Sequence, residues 1–111
     1  MERPVKGDVV VINFPSFNFK DAKKRPAIIA AVTTTGAVLC PITSKRLSNT
    51  NLINLKKTDF SSGGLKYDSF ILPFWLSTFK FSHVLYKAGH LKDQKINEII
   101  KGILSLFNKV N

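Results

Sequence analysis

Residues 7 to 14 read Gly-Asp-Val-Val-Val-Ile-Asn-Phe, and the four residues from Val9 to Ile12 are all β-branched. A continuous run of this kind is typical of a central strand that is buried on much of both faces. Pro15 follows and interrupts the pattern. The sequence therefore predicts a fold built around a strand at residues 7–14.

A hairpin is predicted next along the chain. Pro26 removes its own backbone donor and favours an extended residue before it, so the second strand should begin at Pro26 and end at Val32. Residues 33–36 are expected to form a tight turn, and residues 37–43 to return as the partner strand. Pro41 indicates an edge or a bulge at its position.

The middle of the chain predicts three more short strands, at residues 52–55, 68–72 and 82–87. Residues 48–50 indicate a turn, and Ser61-Ser62-Gly63-Gly64 an open loop.

Residues 73–76, Pro-Phe-Trp-Leu, are bulky and apolar, which suits a barrel corner or an interface. We expect Trp75 to be a core or dimer contact rather than a ligand-stacking residue.

The last segment changes period. Apolar residues recur at spacings of three and four from Ile96 to Phe107, which predicts an amphipathic helix with Asp93 as its N-cap. Short strands joined by tight turns and followed by one helix predict a mainly β fold, a small β-barrel with a C-terminal α-helix laid across it.

Size and composition indicate one soluble domain over residues 1–111. The chain is 44% apolar, and a domain this small gains stability from a subunit interface, which favours oligomerisation. Cys40 is the single cysteine, which suits a core position in a reducing cytoplasm.

No apolar stretch approaches the roughly 18 residues that cross a bilayer, so we expect a cytoplasmic protein without a membrane partner.

Charge points to a polyanionic partner. The sequence holds 17 Lys and Arg against 7 Asp and Glu, a formal net charge of +10. The excess is concentrated in residues 20–57, where Asp21 is the single acidic residue. Such a surplus favours nucleic acid, although lysines can also serve only to keep a small protein soluble.

Five motifs, in order along nearly the whole chain, resemble the MazF/PemK family of toxin endoribonucleases. They are Gly7-Asp8-Val9-Val10-Val11, Lys24-Arg25-Pro26-Ala27-Ile28-Ile29, Pro41-Ile42-Thr43-Ser44, Gly64-Leu65-Lys66-Tyr67-Asp68-Ser69 and Lys87-Ala88-Gly89-His90-Leu91. The resemblance implies an SH3-like β-barrel, a homodimer whose interface shapes an RNA groove, and inhibition by a separate acidic antitoxin. It also implies cleavage of single-stranded mRNA without metal or cofactor, by attack of the substrate's own 2′-hydroxyl on the adjacent phosphate.

Arg25 and Thr43 are the predicted catalytic residues. The Arg25 guanidinium can hold two phosphate oxygens of a dianionic phosphorane, whereas a reference pKa above about 12 makes it a poor proton carrier. Thr43 can donate its hydroxyl to the scissile phosphate, with Ser44 and Lys45 as weaker helpers. The alternative for Thr43 is a strand-end threonine that caps a turn.

Basic, aromatic and hydroxyl side chains around these two are predicted to bind the RNA. They are Phe17, Phe19, Lys20, Lys23, Lys24, Ser44, Lys45 and Arg46. The two phenylalanines can stack on unpaired bases, or one can fold back as a lid. We expect His83 and His90 to be structural, and no metal-ligand spacing is present in the sequence.

One segment departs from the family pattern. Some members carry a Gln or Arg, and then an Asp, where residues 73–80 of this chain read Pro-Phe-Trp-Leu-Ser-Thr-Phe-Lys. Two alternatives to the enzyme therefore stay open: a nucleic-acid-binding barrel that does not cut RNA, and an inactive toxin homologue that acts through protein interaction.

Overall fold

A curled antiparallel sheet followed by one helix makes up the computed structural model, which describes residues 3–15, 22–46, 48 and 51–108. The eight strands in these ranges are β1 (Asp8–Pro15), β2 (Ala22–Val32), β3 (Gly36–Thr43), β4 (Ile53–Leu55), β5 (Phe60–Gly63), β6 (Ser69–Ile71), β7 (Ser77–Lys80) and β8 (Val84–Leu91). Helix α1 spans Asp93–Phe107, and single 3₁₀ turns cover Lys57–Asp59 and Phe81–His83. The strand order is β4-β6-β3-β2-β1-β8-β5, with β7 also paired to β3. This half-barrel with a C-terminal helix confirms the predicted fold class.

The first strand is central, as its sequence predicts. β1 pairs with β2 on one side and with β8 on the other. Val9 belongs to the larger apolar cluster, whereas Val10 and Ile12 belong to a smaller one on the opposite face. Because successive strand residues point to opposite faces, one continuous apolar run supplies both clusters.

Helix α1 closes the larger cluster. Ile96, Ile99 and Ile103 are buried, whereas Leu104 and Phe107 of the same predicted apolar stripe are 52% and 71% exposed. The expected N-cap, Asp93, is wrong: Lys92, the one residue between the end of β8 and the start of the helix, occupies the cap position without a side-chain cap. Asp93 lies in the first turn, where its charge favours the positive end of the helix dipole.

β2 begins earlier than predicted. Pro26 lies inside the strand and pairs with Val11 of β1, and the pairing with β1 continues back to Ala22. Pairing with β3 stops at Ala27 and Pro41. Both prolines therefore lie at or beside the end of one ladder, where a missing N–H costs least.

The turn of the hairpin follows the sequence, whereas the edge or bulge expected at Pro41 is wrong. Residues 33–36 form the tight turn, in which the Thr33 N–H donates to the Gly36 carbonyl at 2.8 Å. β3 is an interior strand, not an edge: β7 pairs with Gly36 to Leu39 and β6 with Ile42 and Thr43, so Pro41 falls in the gap between them.

The predicted open loop at residues 61–64 is wrong over most of its length. β5 pairs with β8 from Phe60 opposite Leu91 to Gly63 opposite Gly89, with a bulge after Phe60. Only Phe60 of this strand is buried, so the sequence carries almost no alternating apolar pattern there.

Residues 73–87 also differ in detail from the sequence expectation. Residues 77–80 form β7, which was not predicted, and β8 begins at Val84 rather than at residue 82 and ends at Leu91. Trp75 is 45% exposed and therefore not a core residue in this chain; its predicted dimer contact stays a prediction. The predicted short strands at 52–55 and 68–72 correspond to β4 and β6. Of the predicted turn at 48–50, only Ser48 lies within the described residues.

No helix in the described part of the chain combines the length and apolarity needed to cross a lipid bilayer.

Asp8 ties the start of β1 to β8. Its side chain is 3% exposed, and the carboxylate accepts a hydrogen bond from the Val5 N–H at 2.9 Å and lies 2.7 Å from His90 Nδ1 and 3.2 Å from Lys87 Nζ. Burial alone would raise the pKa of this carboxyl, but the three partners outweigh burial and hold the pKa below its usual value. The ionised carboxylate therefore stabilises the folded chain.

We expect the free energy of unfolding to fall as the pH drops below about 4. Because the folded-state pKa of Asp8 is depressed, its stabilisation is complete above the unfolded-state pKa and is lost as the pH falls through the folded-state value. Asp8→Asn should lower the free energy of unfolding by about 1–3 kcal/mol at neutral pH. In denaturant titrations at acid pH, the variant should also lose less stability than wild type as the pH falls. Asp68→Asn, at an exposed carboxyl, is the control. An unchanged acid profile in Asp8→Asn would contradict this account.

Two adjacent glycines give a matched test of β5. Gly63 has φ +65°, and a Cβ there would collide with the Ala88 carbonyl oxygen, whereas a Cβ on Gly64 meets nothing within 4 Å. Gly63→Ala should lower the free energy of unfolding by about 1–3 kcal/mol. Gly64→Ala should change it by no more than about 0.5 kcal/mol. Equal effects in thermal or urea unfolding would mean that β5 does not pair as described.

Candidate nucleic-acid interface

An open groove lies where the first half of β2 and the end of β3 meet the chain segment that precedes β6. Its volume is about 310 Å³, near the lower limit of the range common for ligand sites. The lining residues come from these three parts of the chain: Arg25, Pro26, Ile42, Thr43, Ser44, Lys45, Leu65, Lys66, Tyr67 and Ser69.

The two predicted catalytic residues, Arg25 and Thr43, both line this groove. The β2–β3 ladder ends with Ala27 opposite Pro41, and Arg25 and Thr43 each lie two residues beyond that last pair. Residues opposite each other on paired strands point to the same face of a sheet, and residues two apart on one strand share a face. The sheet itself therefore places the guanidinium and the hydroxyl on one side, although their catalytic roles stay a prediction.

Thr43 ends β3 and caps the turn that follows. Its Oγ1 accepts a hydrogen bond from the Lys45 backbone N–H at 3.1 Å. A hydroxyl that accepts one bond keeps its own hydrogen for another. Turn capping and donation to a phosphate oxygen are thus compatible, and the turn fixes the oxygen's position.

The groove is positively charged. Arg25, Lys45 and Lys66 line it, and the lining set contains neither Asp nor Glu. Among the described residues, no carboxylate lies within 4 Å of the Arg25 guanidinium.

Sequence reasoning missed Lys66 and Tyr67. Tyr67 is 62% exposed, and the Lys66 ammonium lies 5.4 Å from the centre of its ring. The buried Ser69 anchors this segment, since its Oγ donates to the Tyr67 carbonyl oxygen at 2.9 Å. A basic residue next to an aromatic one, within a motif already singled out, is the signal that would have found them.

Two of the other predicted RNA-binding residues line the groove. Ser44 and Lys45 line it, and Arg46 lies outside it with its guanidinium 5.6 Å from the Phe70 ring. Lys23 and Lys24 are exposed on β2. Phe17, Phe19 and Lys20 lie outside the described residues.

His83, His90 and Cys40 do not line the groove. His90 contacts Asp8, and the His83 ring meets Phe79 edge-on with 6.3 Å between ring centres. Cys40 is fully buried, and burial raises its thiol pKa to about 12, which supports the core position predicted for it.

Across the described ranges, no three His, Cys, Asp or Glu side chains form a group that could hold a metal ion.

Solved toxin structures share this fold. An endoribonuclease in complex with its cognate antitoxin, from a mycobacterial species, matches with a TM-score of 0.73 at 12% identity, over 100% of this chain and 99% of that one. MazF (Form-I) from Deinococcus radiodurans gives 0.76 at 17%, over 98% and 100%. The Mycobacterium tuberculosis toxin MazF-mt6 gives 0.71 at 16%, over 94% and 99%. No curated protein sequence matches significantly. The fold is that of the MazF-type barrels.

Sequence similarity then gives the family. A family profile described as "PemK-like, MazF-like toxin of type II toxin-antitoxin system" matches residues 5–107, a range that contains every residue lining the groove. The chain belongs to this toxin family, which confirms the resemblance seen in the five motifs.

Proposed function

We propose that the chain is the toxin of a type II toxin–antitoxin system and acts in the cytoplasm as an endoribonuclease on single-stranded mRNA, without a metal. The observation that carries this proposal is the groove in which Arg25 and Thr43 lie together, in a chain of the toxin family. RNA provides the phosphate that such a groove attracts and, in its 2′-hydroxyl, a nucleophile of its own.

The reaction that suits this groove is transesterification. The ribose 2′-oxygen attacks the adjacent phosphorus and loses its proton, while the bond from phosphorus to the 5′-oxygen of the next nucleotide breaks and that oxygen takes up a proton. The products are a cyclic phosphate and a free 5′-hydroxyl. Charge accumulates on the two non-bridging oxygens in the transition state, so fixed donors at those oxygens accelerate the step.

Arg25 and Thr43 have complementary roles in this mechanism. The planar Arg25 guanidinium holds the phosphorane oxygens and neutralises their charge. The Thr43 hydroxyl, whose oxygen is fixed by the Lys45 N–H, donates to the same phosphate. Both residues sit on paired strands, so little reorganisation accompanies the reaction.

We propose a homodimer and an acidic antitoxin as the partners. The mycobacterial endoribonuclease was solved with its cognate antitoxin, and a MazE–MazF complex from Deinococcus radiodurans has the same fold, with a TM-score of 0.74. A net charge of +10 favours an acidic inhibitor that competes with RNA for the basic groove.

One observation favours a second candidate, a barrel that binds RNA without cutting it. The described residues that line the groove include no His, Asp or Glu, and therefore none of them has a reference pKa at or below neutrality with which to take the 2′-hydroxyl proton. Salt-sensitive RNA binding without cleavage products would support this candidate over the enzyme.

Purified protein should cleave single-stranded RNA in the presence of EDTA. Arg25→Ala should lower kcat by about 100- to 1,000-fold, because it removes a fixed charge at the developing phosphorane. Lys101→Ala, which removes an equal charge from the exposed face of α1, is the control and should cleave normally. The readout is the appearance of cyclic-phosphate and 5′-hydroxyl ends. RNA that stays intact at high protein concentration, on a substrate with every trinucleotide, would exclude the enzyme.

Two substitutions distinguish the role of the Thr43 hydroxyl from that of the side chain's shape. Thr43→Val should lower kcat by about 10- to 100-fold, the equivalent of one hydrogen bond to a charged phosphate. Thr43→Ser keeps the hydroxyl and should retain most of the activity. Both variants should unfold at the wild-type temperature, since the Lys45 N–H is exposed and water can replace its partner. Equal activity of Thr43→Val and wild type would assign Thr43 to turn capping alone.

A further inference from the structure

We propose that the ring of Tyr67 is the platform on which a nucleobase beside the scissile phosphate stacks. This inference rests on the proposed function, because it takes the occupant of the groove to be a single-stranded nucleic acid. It adds a binding residue that the sequence motifs did not assign.

The exposure and the position of Tyr67 carry the inference. Tyr67 is 62% exposed, yet it lines the same groove as Arg25 and Thr43. The other tyrosine, Tyr86, is 53% exposed on β8 and does not line the groove. Of the two exposed phenol rings, only one faces the cationic site.

The segment that carries the ring is held in place at its C-terminal end. Ser69, 6% exposed, belongs to β6, and its Oγ bonds to the Tyr67 carbonyl oxygen. β6 in turn pairs with β3, where Phe70 lies opposite Thr43. The strand pairing that fixes Thr43 therefore also fixes the position from which Tyr67 extends.

The neighbouring charges select a nucleotide as the occupant. Lys66 places its ammonium 5.4 Å from the Tyr67 ring centre, and Arg25 and Lys45 line the same groove without any acidic partner in the lining set. A nucleotide joins an anionic phosphate to a flat aromatic base, so it satisfies the cations and the ring together. Every base has a π-face, and stacking on Tyr67 should therefore set affinity rather than sequence preference.

Binding of a short single-stranded oligodeoxynucleotide tests this without cleavage, because the probe lacks the 2′-hydroxyl nucleophile. Fluorescence anisotropy should show about 5- to 150-fold weaker binding for Tyr67→Ala, the loss expected when one base loses its stacking partner. Tyr67→Phe keeps the ring and should bind as wild type does. Tyr86→Ala is the matched control and should also bind normally.

Salt dependence separates stacking from charge. Tyr67→Ala should leave the slope of log K against log salt unchanged, whereas Lys66→Ala should reduce it by about 0.7, the value for one phosphate contact on a single strand. A probe that contains 2-aminopurine adds a direct signal, because stacking on an aromatic ring quenches its fluorescence. This quenching should be lost in Tyr67→Ala and kept in Tyr67→Phe.

The outcomes distinguish this inference from the proposed function. If wild-type protein cuts RNA but Tyr67→Ala binds the probe normally, the stacking role of Tyr67 is wrong and the proposed endoribonuclease activity is still supported. If Tyr67→Phe loses as much affinity as Tyr67→Ala, the phenol hydroxyl acts and the ring does not, which also overturns the inference. If the probe binds with the pattern above but RNA is never cut, the stacking role of Tyr67 is supported and the proposed endoribonuclease activity is overturned. Wild-type protein that binds an acidic peptide but no oligonucleotide at any salt concentration would overturn both.

Discussion

The register of β3 with β2 and β6 is the constraint on which the groove depends. β2 sets Ala27 opposite Pro41, and β6 sets Phe70 opposite Thr43. These pairings bring together Arg25, Thr43 and the segment that carries Lys66 and Tyr67, although the three parts are far apart in sequence. A slip of one residue on either side would turn a whole set of side chains to the other face of the sheet.

The parts of the fold that sequence predicts well are those whose apolar pattern is long. β1 contains four consecutive β-branched residues, and α1 repeats its apolar residues over several turns, so each has a period that can be recognised locally. β5 and β7 have no such pattern, because β5 buries only Phe60 and β7 buries no residue fully. These two strands exist through pairing with β8 and β3, which a local pattern does not contain. The early start of β2 was hidden for the same reason, since Lys23, Lys24 and Arg25 are exposed residues held by pairing with β1.

The candidate site shows a similar division. Arg25 and Thr43 can be predicted because their motifs resemble those of a toxin family. That they line one groove depends on strand pairing, which neither motif encodes alone. Lys66 and Tyr67 lie between β5 and β6 in a segment with no periodicity, and only the pairing of β6 brings them to the groove. The expectation that aromatic residues bind bases was directed at Phe17 and Phe19, outside the described residues, and Tyr67 offers the same chemistry elsewhere.

The single thiol lies in the strand that organises the groove. Cys40 is paired with Ile28 across β2 and β3, is fully buried, and keeps its proton up to a pKa of about 12. Alkylating reagents attack the thiolate, so they can reach this sulfur only when β3 separates from the sheet. The rate at which a small electrophile modifies Cys40 in the native chain therefore reports the opening of β3. An anion that is held by residues of both β2 and β3 stabilises the paired state of these strands, so its presence should slow the modification of Cys40.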